Sequence, residues 1–598
     1  MPQITPASVV LVLLLLHSQG TSTPSPSPNN KRPASRQSAS SEGYVGSKVC
    51  AQCHPQIYSS YSRTDMGRSM SVVTASLLKD ISNAASLFSE KLNRHFSVFV
   101  QNGQLYQSEW ETGEDGKDIF RQTERIRWII GPGANALGGL TWRGDQIFEA
   151  PLTYYEKTRA WALSPGYEEA DRGFSRPIEA ECIVCHAGRA NPVPGAIGRF
   201  EDPPFDELAI GCENCHGPGA AHIRQTRRGA SVGANPSPAI VNPAKLSPWL
   251  ADNICMSCHQ NGDARVLQPG KTLQDFRPGE PLDRTLAILM APPTRESPPD
   301  SDHVQHYFSM TLSKCYRSSG AKLSCITCHD PHVQPSREEA PEYFKKKCLT
   351  CHTDKSCTSP LESRQRIEPP DDCVGCHMPK RDVTVISHAS LTNHRVVTTL
   401  DEPFPDITFQ LAMSALPDLV HLNAVPGEAN RVPPQLTLLQ AYGQFGVERR
   451  EYLQRYFEVA EKLEASEPNN VNVLEALAAR SLQLRTAEGD HAAMGYLKAA
   501  IEHGSISAWD FEQLGRRLLK EQNFAEALSC LEEGIRRAPY DAMLYALLAN
   551  AYMGLNQPQE AAATLRQASQ LFPQMDLLRQ LLREVELSGS PPQGTGGN

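Results

Sequence analysis

Seven times along this chain two cysteines stand three positions apart, and a histidine directly follows the second. The sets are Cys50, Cys53 and His54; Cys182, Cys185 and His186; Cys212, Cys215 and His216; Cys255, Cys258 and His259; Cys325, Cys328 and His329; Cys348, Cys351 and His352; and Cys373, Cys376 and His377. Two thiols at this spacing share one short turn and can add to the two vinyl groups of a porphyrin. The adjacent imidazole then reaches the iron from the same side. The chemistry is covalent attachment of c-type haem (heme c) with a histidine as proximal ligand. For a given cysteine, a second at +3 and a histidine at +4 arise by chance roughly once in a thousand, so seven sets are not accidental. Zinc sites pair such cysteine units two by two and need no histidine after each, and seven is odd. A disulfide framework leaves the histidines unexplained. Seven covalent haems are expected.

The motifs use fourteen of the 17 cysteines. Of the remainder, Cys315 and Cys357 are available for a disulfide in an oxidising compartment. Cys530 falls on an apolar helical face and is expected in a core. The net charge of -9 argues against a nucleic-acid binder. The apolar run Val9–Leu16 is short for a membrane span but suits the centre of an export signal, with small residues at Ser18, Gly20 and Ser22. Residues 1–22 are therefore expected to be a signal peptide, and the mature chain periplasmic or extracellular with no membrane span. Residues 23–44 are Ser/Pro-rich and read as a linker.

All seven motifs lie within 45–400, expected to form a loop-rich haem-binding domain. Between the first and second, HFSVFVQNGQLYQSEW places Asn-Gly between alternating apolar runs, which predicts a hairpin, and DQIFEAPLTYYE predicts another strand. Residues 401–432 read as a linker. From 433 to 588 cysteine nearly disappears, and Leu and Ala mark amphipathic helices. Leu514 and Leu548, Ala527 and Ala561, Leu531 and Leu565, and Pro539 and Pro573 are each 34 positions apart. That is the tetratricopeptide period, and three to four repeats are expected. Residues 589–598 read as a disordered tail. The fold class expected is mainly α: a haem core with a small β-hairpin region, then an α-solenoid.

An iron that only carries electrons is best served by a second imidazole. Outside the motifs, the leader and the repeats, the histidines are His95, His222, His303, His306, His332, His388, His394 and His421, eight for seven irons. Several segments bear on the choice: SKVCAQCHPQIYSSYSRTDMGRSM, GCENCHGPGAAH, DHVQHYFSMTLSKCYRSSGAKLSCITCHDPH and CVGCHMPKRDVTVISHASLTNHRV. With these, most of 45–400 resembles the multihaem cytochromes related to the tetrahaem electron-accepting cytochrome c of ammonia-oxidising bacteria, in the form fused to tetratricopeptide repeats. The resemblance implies that His222, His303, His332, His388 and His394 are distal ligands, with His95, His306 and His421 ranked behind them. Relatives tend to carry a histidine shortly before the position of His95, where this chain has Ser89. Met66 is an alternative thioether ligand or a packing residue.

The function expected is electron transfer through seven haems, with the repeats docking redox partner proteins. The alternative is a multihaem redox enzyme acting on nitrite or hydroxylamine at a five-coordinate haem. It is disfavoured, because multihaem nitrite reductases of that type usually replace one motif histidine by lysine and hydroxylamine oxidoreductases normally carry eight motifs, and this chain has neither feature. Arg265 and Tyr167 are the residues that would line such a pocket.

Overall fold

The computed structural model describes residues 43–81, 84–228, 239–295, 305–383, 389–409, 418–427 and 432–588. The expected leader, nearly all of the 23–44 segment and the 589–598 tail lie outside the described residues.

The Asn-Gly pair turns as its chemistry dictates. Asn102 and Gly103 both take positive φ, 52° and 71°, which is what a two-residue turn matched to strand twist requires. The strands Arg94–Gln101 and Gln104–Thr112 pair antiparallel on either side, with Gln101 opposite Gln104. They form the middle of a four-stranded sheet whose outer strands are Ala85–Ser89 and Asp118–Arg125. A six-stranded sheet follows, containing Met70–Val72, Trp128–Ile130, Ala136–Arg143, the expected strand Gln146–Tyr155, Ala160–Leu163 and Arg176–Pro177. Alternation sends Phe96, Val98 and Leu105 of the first sheet into one core with Ile129, Leu137 and Leu152 of the second. Each such fully buried side chain contributes about 1.5–3 kcal/mol.

The expectation of a mainly α chain with a small hairpin region is therefore too narrow for this part: among the described residues, ten strands lie between Met70 and Pro177. Asp118–Arg125 shows why they are hard to read. It is an edge strand that buries only Phe120 and is held by pairing to Gln104–Thr112, so it carries no alternating apolar run of its own.

Each cysteine motif lies on or beside a short helical turn: Ser47–Cys50, Ala180–Ile183, Cys212–His216, Pro248–His259, Cys325–Cys328, Ala340–Cys348 and Cys373–His377. The fourth is the longest. Ser247 accepts a hydrogen bond from Leu250 N–H and Pro248 opens the first turn, a standard helix start.

From Gln435 the chain is helical, and nine helices end with Asp576–Ser588 among the described residues. The residues in 34-residue register are all interior. Leu514, Leu548, Ala527, Ala561, Leu531 and Leu565 are buried, and Pro539 and Pro573 stand just past the ends of Phe524–Arg537 and Pro558–Leu571. Glycine permits the closest helix approach: a Cβ on Gly554 would lie 2.3 Å from the Phe524 ring.

The solenoid is attached at both ends. Its first helix, Gln435–Glu448, places Leu439, Tyr442 and Phe445 in one core with Ala264, Val266, Ala287 and Leu289 of the strands Ala264–Leu267 and Leu286–Met290. At the other end the Gln574 carbonyl accepts from Arg94 Nη2 of the four-stranded sheet at 2.9 Å. Arg579 Nη2 reaches Glu111 at 3.4 Å, and Arg94 and Arg579 both lie over the Phe120 ring.

Candidate haem-binding sites

Hydrogen bonds tie the motif turns to one another. Ser47, in the turn of the first motif, accepts from Cys212 N–H of the third at 2.9 Å. Asp252, on the helix of the fourth, accepts from Cys325 N–H of the fifth, also at 2.9 Å. Glu213 is buried rather than solvated. Its carboxylate accepts from the backbone N–H groups of Val45, Gly46 and Gly219, fastening the third motif to the segment that leads into the first.

The thiols follow these ties. Cys50 lies within hydrogen-bonding reach of Cys212, Cys185 of Cys258, Cys325 of Cys255, and Cys348 of Cys373. Cys215 of the third motif is close enough to Cys255 and Cys258 of the fourth to feel their charge, and Cys328 of the fifth likewise feels Cys351 of the sixth. The motifs thus form one connected series in space: first, third, fourth, fifth, sixth, seventh, with the second joined to the fourth. Spatial order differs from chain order at the second.

The imidazoles pair across these turns. His216 faces His332 with ring centroids 6.0 Å apart and planes within 5°. His259 and His306 are 5.7 Å apart at 16°, and His329 and His394 are 6.1 Å apart at 32°. Metal–imidazole bonds are about 2.0 Å and each ring centre lies ~1.1 Å behind its nitrogen, so two histidines on opposite sides of one metal place their centroids roughly 6 Å apart. All three pairs have this separation, and each joins one motif histidine to one outside the motifs.

Hydrogen bonds also fix the tautomers of these rings. Nδ1 of His216 lies 2.8 Å from the Val241 carbonyl, Nδ1 of His377 2.7 Å from Val397, and Nδ1 of His394 3.0 Å from Thr392. A carbonyl accepts only from N–H, so each ring holds its proton at Nδ1 and turns Nε2 toward the ligand side. Burial, then the charge of neighbouring imidazoles, drives His306 down to about 2 and His394 down to about 4. Burial also lowers His186, His216, His259 and His329. Neutral imidazole is the form that binds iron, and the protein keeps these rings neutral at physiological pH.

Of the expected distal ligands, His332 and His394 are in pairs. His222 lies on the helix Ala220–Arg227 just after the third motif, with Nδ1 buried and without a hydrogen-bond partner. His303 and His388 lie outside the described residues. His306, ranked lower from the sequence, is the residue opposite His259, and it stacks on His394 at 4.2 Å. His95 is a packing residue between Phe88 and Trp110, 4.6 and 5.1 Å away. His421 pairs with Leu289 at a sheet edge. Met66 sits in the turn Met66–Arg68. Of the motif histidines, His54 and His352 are exposed, and His54 is close enough to His216 to affect its charge.

Cys315 and Cys357 do not form the disulfide available to them. Cys315 neighbours Cys328, Cys348 and Cys351, whereas Cys357 neighbours Cys376, and both are free thiols. Cys530 packs in the solenoid with its thiol toward the Phe511 carbonyl. Tyr167 is fully buried, and its hydroxyl donates to the Glu149 carbonyl. Among the described residues, no three Cys, His, Asp or Glu side chains converge as a bare metal ion would need. Ligands that come in twos across a planar group fit the paired arrangement instead.

A tetratricopeptide repeat family model matches residues 518–584, so the helices within that span are tetratricopeptide repeats. A curated relative, "Multiheme cytochrome MtrA" of Shewanella baltica (strain OS185), is 24% identical over 221 residues. The match takes in 34% of this chain and 64% of that protein, so the chain spans less than two thirds of the relative's length. Solved structures similar to the chain include "MamA 41-end from Desulfovibrio magneticus RS-1", 22% identical with a TM-score of 0.22, covering 26% of this chain and 85% of its own. Another is "Arabidopsis OM64 TPR domain", 17% identical with a TM-score of 0.18, covering 20% of this chain and 94% of its own.

Proposed function

We propose that this chain is an exported electron-transfer protein, periplasmic or at the cell surface, holding seven c-type haems and docking its redox partners through the tetratricopeptide solenoid. The observation that carries the reading is the pairing of imidazoles across connected motif turns, at the separation one iron requires between trans histidines.

The cysteines of each motif would hold the porphyrin through thioether bonds, and the motif histidine would bind its iron. His332 with His216, His306 with His259, and His394 with His329 would hold three of the irons between them. His222, His303 and His388 would serve three of the four remaining irons. When bound, the haems would supply one-electron carriers. The chain's own residues do the rest. Carbonyls of Val241, Val397 and Thr392 fix ring orientation, and burial keeps the imidazoles neutral and excludes water. Two histidines per iron change geometry little between oxidation states, which suits a carrier rather than a catalyst. The weak cytochrome similarity and the docking surfaces common to repeat solenoids support the same reading.

The test is electron paramagnetic resonance of the oxidised holoprotein during a redox titration. Low-spin ferric signals dominating the spectrum, with reversible reduction, are expected. A dominant high-spin signal that responds to nitrite or hydroxylamine would replace the carrier by a redox enzyme.

A further inference from the structure

The series of motifs has one junction. The fourth motif lies against two others and close to a third: Cys258 meets Cys185 of the second, Cys255 meets Cys325 of the fifth, and both are near enough to Cys215 of the third to feel its charge. One cation reaches into this junction. Arg265 lies on the strand Ala264–Leu267, whose alternation turns Ala264 and Val266 into the core shared with the first solenoid helix and sends Arg265 the other way. Its guanidinium bridges the fourth motif. Nη2 donates to the Ser257 carbonyl, between the two cysteines, at 2.6 Å. Nη1 donates to the Gln260 carbonyl, directly after His259, also at 2.6 Å. The Cys185 thiol of the second motif lies 4.0 Å from the same Ser257 oxygen. The backbone of Arg265 is fixed in turn by the solenoid: its N–H donates to Gln444 Oε1 at 3.2 Å, and Gln444 Nε2 donates back to its carbonyl at 3.3 Å.

We propose that Arg265 is a positioning residue that raises the redox potentials of the haems held by the second and fourth motifs. The proposal rests on the haem reading above. Ferric haem carries one more positive charge than ferrous haem, so a fixed cation nearby favours the reduced state. Both acceptors of the guanidinium are neutral carbonyls, so these bonds hold the charge in place without cancelling it. Charge in a partly buried site acts at lower effective dielectric than in water and is felt across several ångströms. The haem at the junction is thereby made the preferred resting place of an electron entering from either arm.

The experiment compares Arg265→Met, Arg265→Gln and Arg265→Lys holoproteins with the parent by optical redox titration, after checking haem content and far-ultraviolet circular dichroism. Arg265→Met and Arg265→Gln are expected to shift the ferrous-to-ferric equilibrium of at least one component tenfold or more toward ferric. That is a fall of about 59 mV for a one-electron couple. Arg265→Lys, which keeps charge but loses the two-pronged grip, is expected to stay closer to the parent. Two results overturn the proposal: unchanged titration curves in haem-loaded neutral variants, or equal shifts in the Lys and Met variants, which would make the effect one of shape and not of charge. A parent chain that takes up no haem would instead defeat the underlying reading, and is recognised before any titration.

Discussion

Replacing Arg94 by Met should release the far end of the solenoid from the β-sheets. Arg94 is 6% exposed and satisfies three elements at once. Its Nε meets Asp171 at 2.9 Å, its Nη1 meets Glu111 at 3.0 Å, and its Nη2 donates to the Gln574 carbonyl at 2.9 Å. Glu109 lies beside the group, wholly buried. Burial, and then Asp171, push its carboxyl well above the usual range, while Arg94 pulls the other way. Methionine would fill much of the volume but leave Asp171 and Glu111 without their shared cation. Breaking a buried ion pair from one side costs about 3–5 kcal/mol. Most of this is felt where the chain can relieve it, by undocking Asp576–Ser588. At 1.4 kcal/mol per factor of ten, local opening should rise about a hundredfold to a few thousandfold. Hydrogen exchange read by mass spectrometry is the assay. Peptides covering 569–588 and 94–112 should lose protection, while the first solenoid helix, Gln435–Glu448, keeps it. Unchanged protection in an Arg94→Met protein with normal haem content would refute the idea that this cluster holds the solenoid in place.

Other outcomes follow from the same geometry. His306→Ala should convert one low-spin iron to high-spin, and His394→Ala another, as counted by electron paramagnetic resonance; His95→Ala should leave the spin count unchanged. Cys212→Ser with Cys215→Ser should remove one covalent haem from the denatured protein's mass, leaving the other six attached. Asp510 is fully buried and Glu475 half-buried beside it in the solenoid, and desolvation raises both, Asp510 to about 7. Acids whose native values are raised favour folding while protonated, so their contribution is complete below the unfolded value near 4 and is lost as pH rises through about 7. Exchange protection of Val471–Gln483 and Ala508–Lys520, corrected for intrinsic rate, should therefore fall between about pH 4 and 7, and Asp510→Asn should flatten that fall.

The parts of the molecule legible in the sequence were those with a local rule. The cysteine spacing is one, since a thioether turn needs only five consecutive residues. The 34-residue register is another, because Ala527 and Ala561 must be small wherever helices cross. Asn102-Gly103 is a third, because few other pairs accept positive φ at both positions. What was not legible depends on contacts between distant segments. The strand Asp118–Arg125 exists because Gln104–Thr112 pairs with it. His306 could not be preferred over its neighbour His303, because three residues of separation say nothing about which ring meets His259 some fifty positions earlier. The bridge from Arg265 to Ser257 and Gln260 needs the turn after Pro248–His259 to fold the strand back across the motif, and no spacing announces it. Cys315 and Cys357 looked like a pair only because both were spare.

The most direct measurement is the intact mass of the denatured protein, exported from a host able to mature c-type cytochromes. The account predicts the mature polypeptide plus seven covalently retained haems, with the Soret band surviving denaturation and acid-acetone extraction. A polypeptide mass alone, or a metal or pigment lost on denaturation, would contradict it.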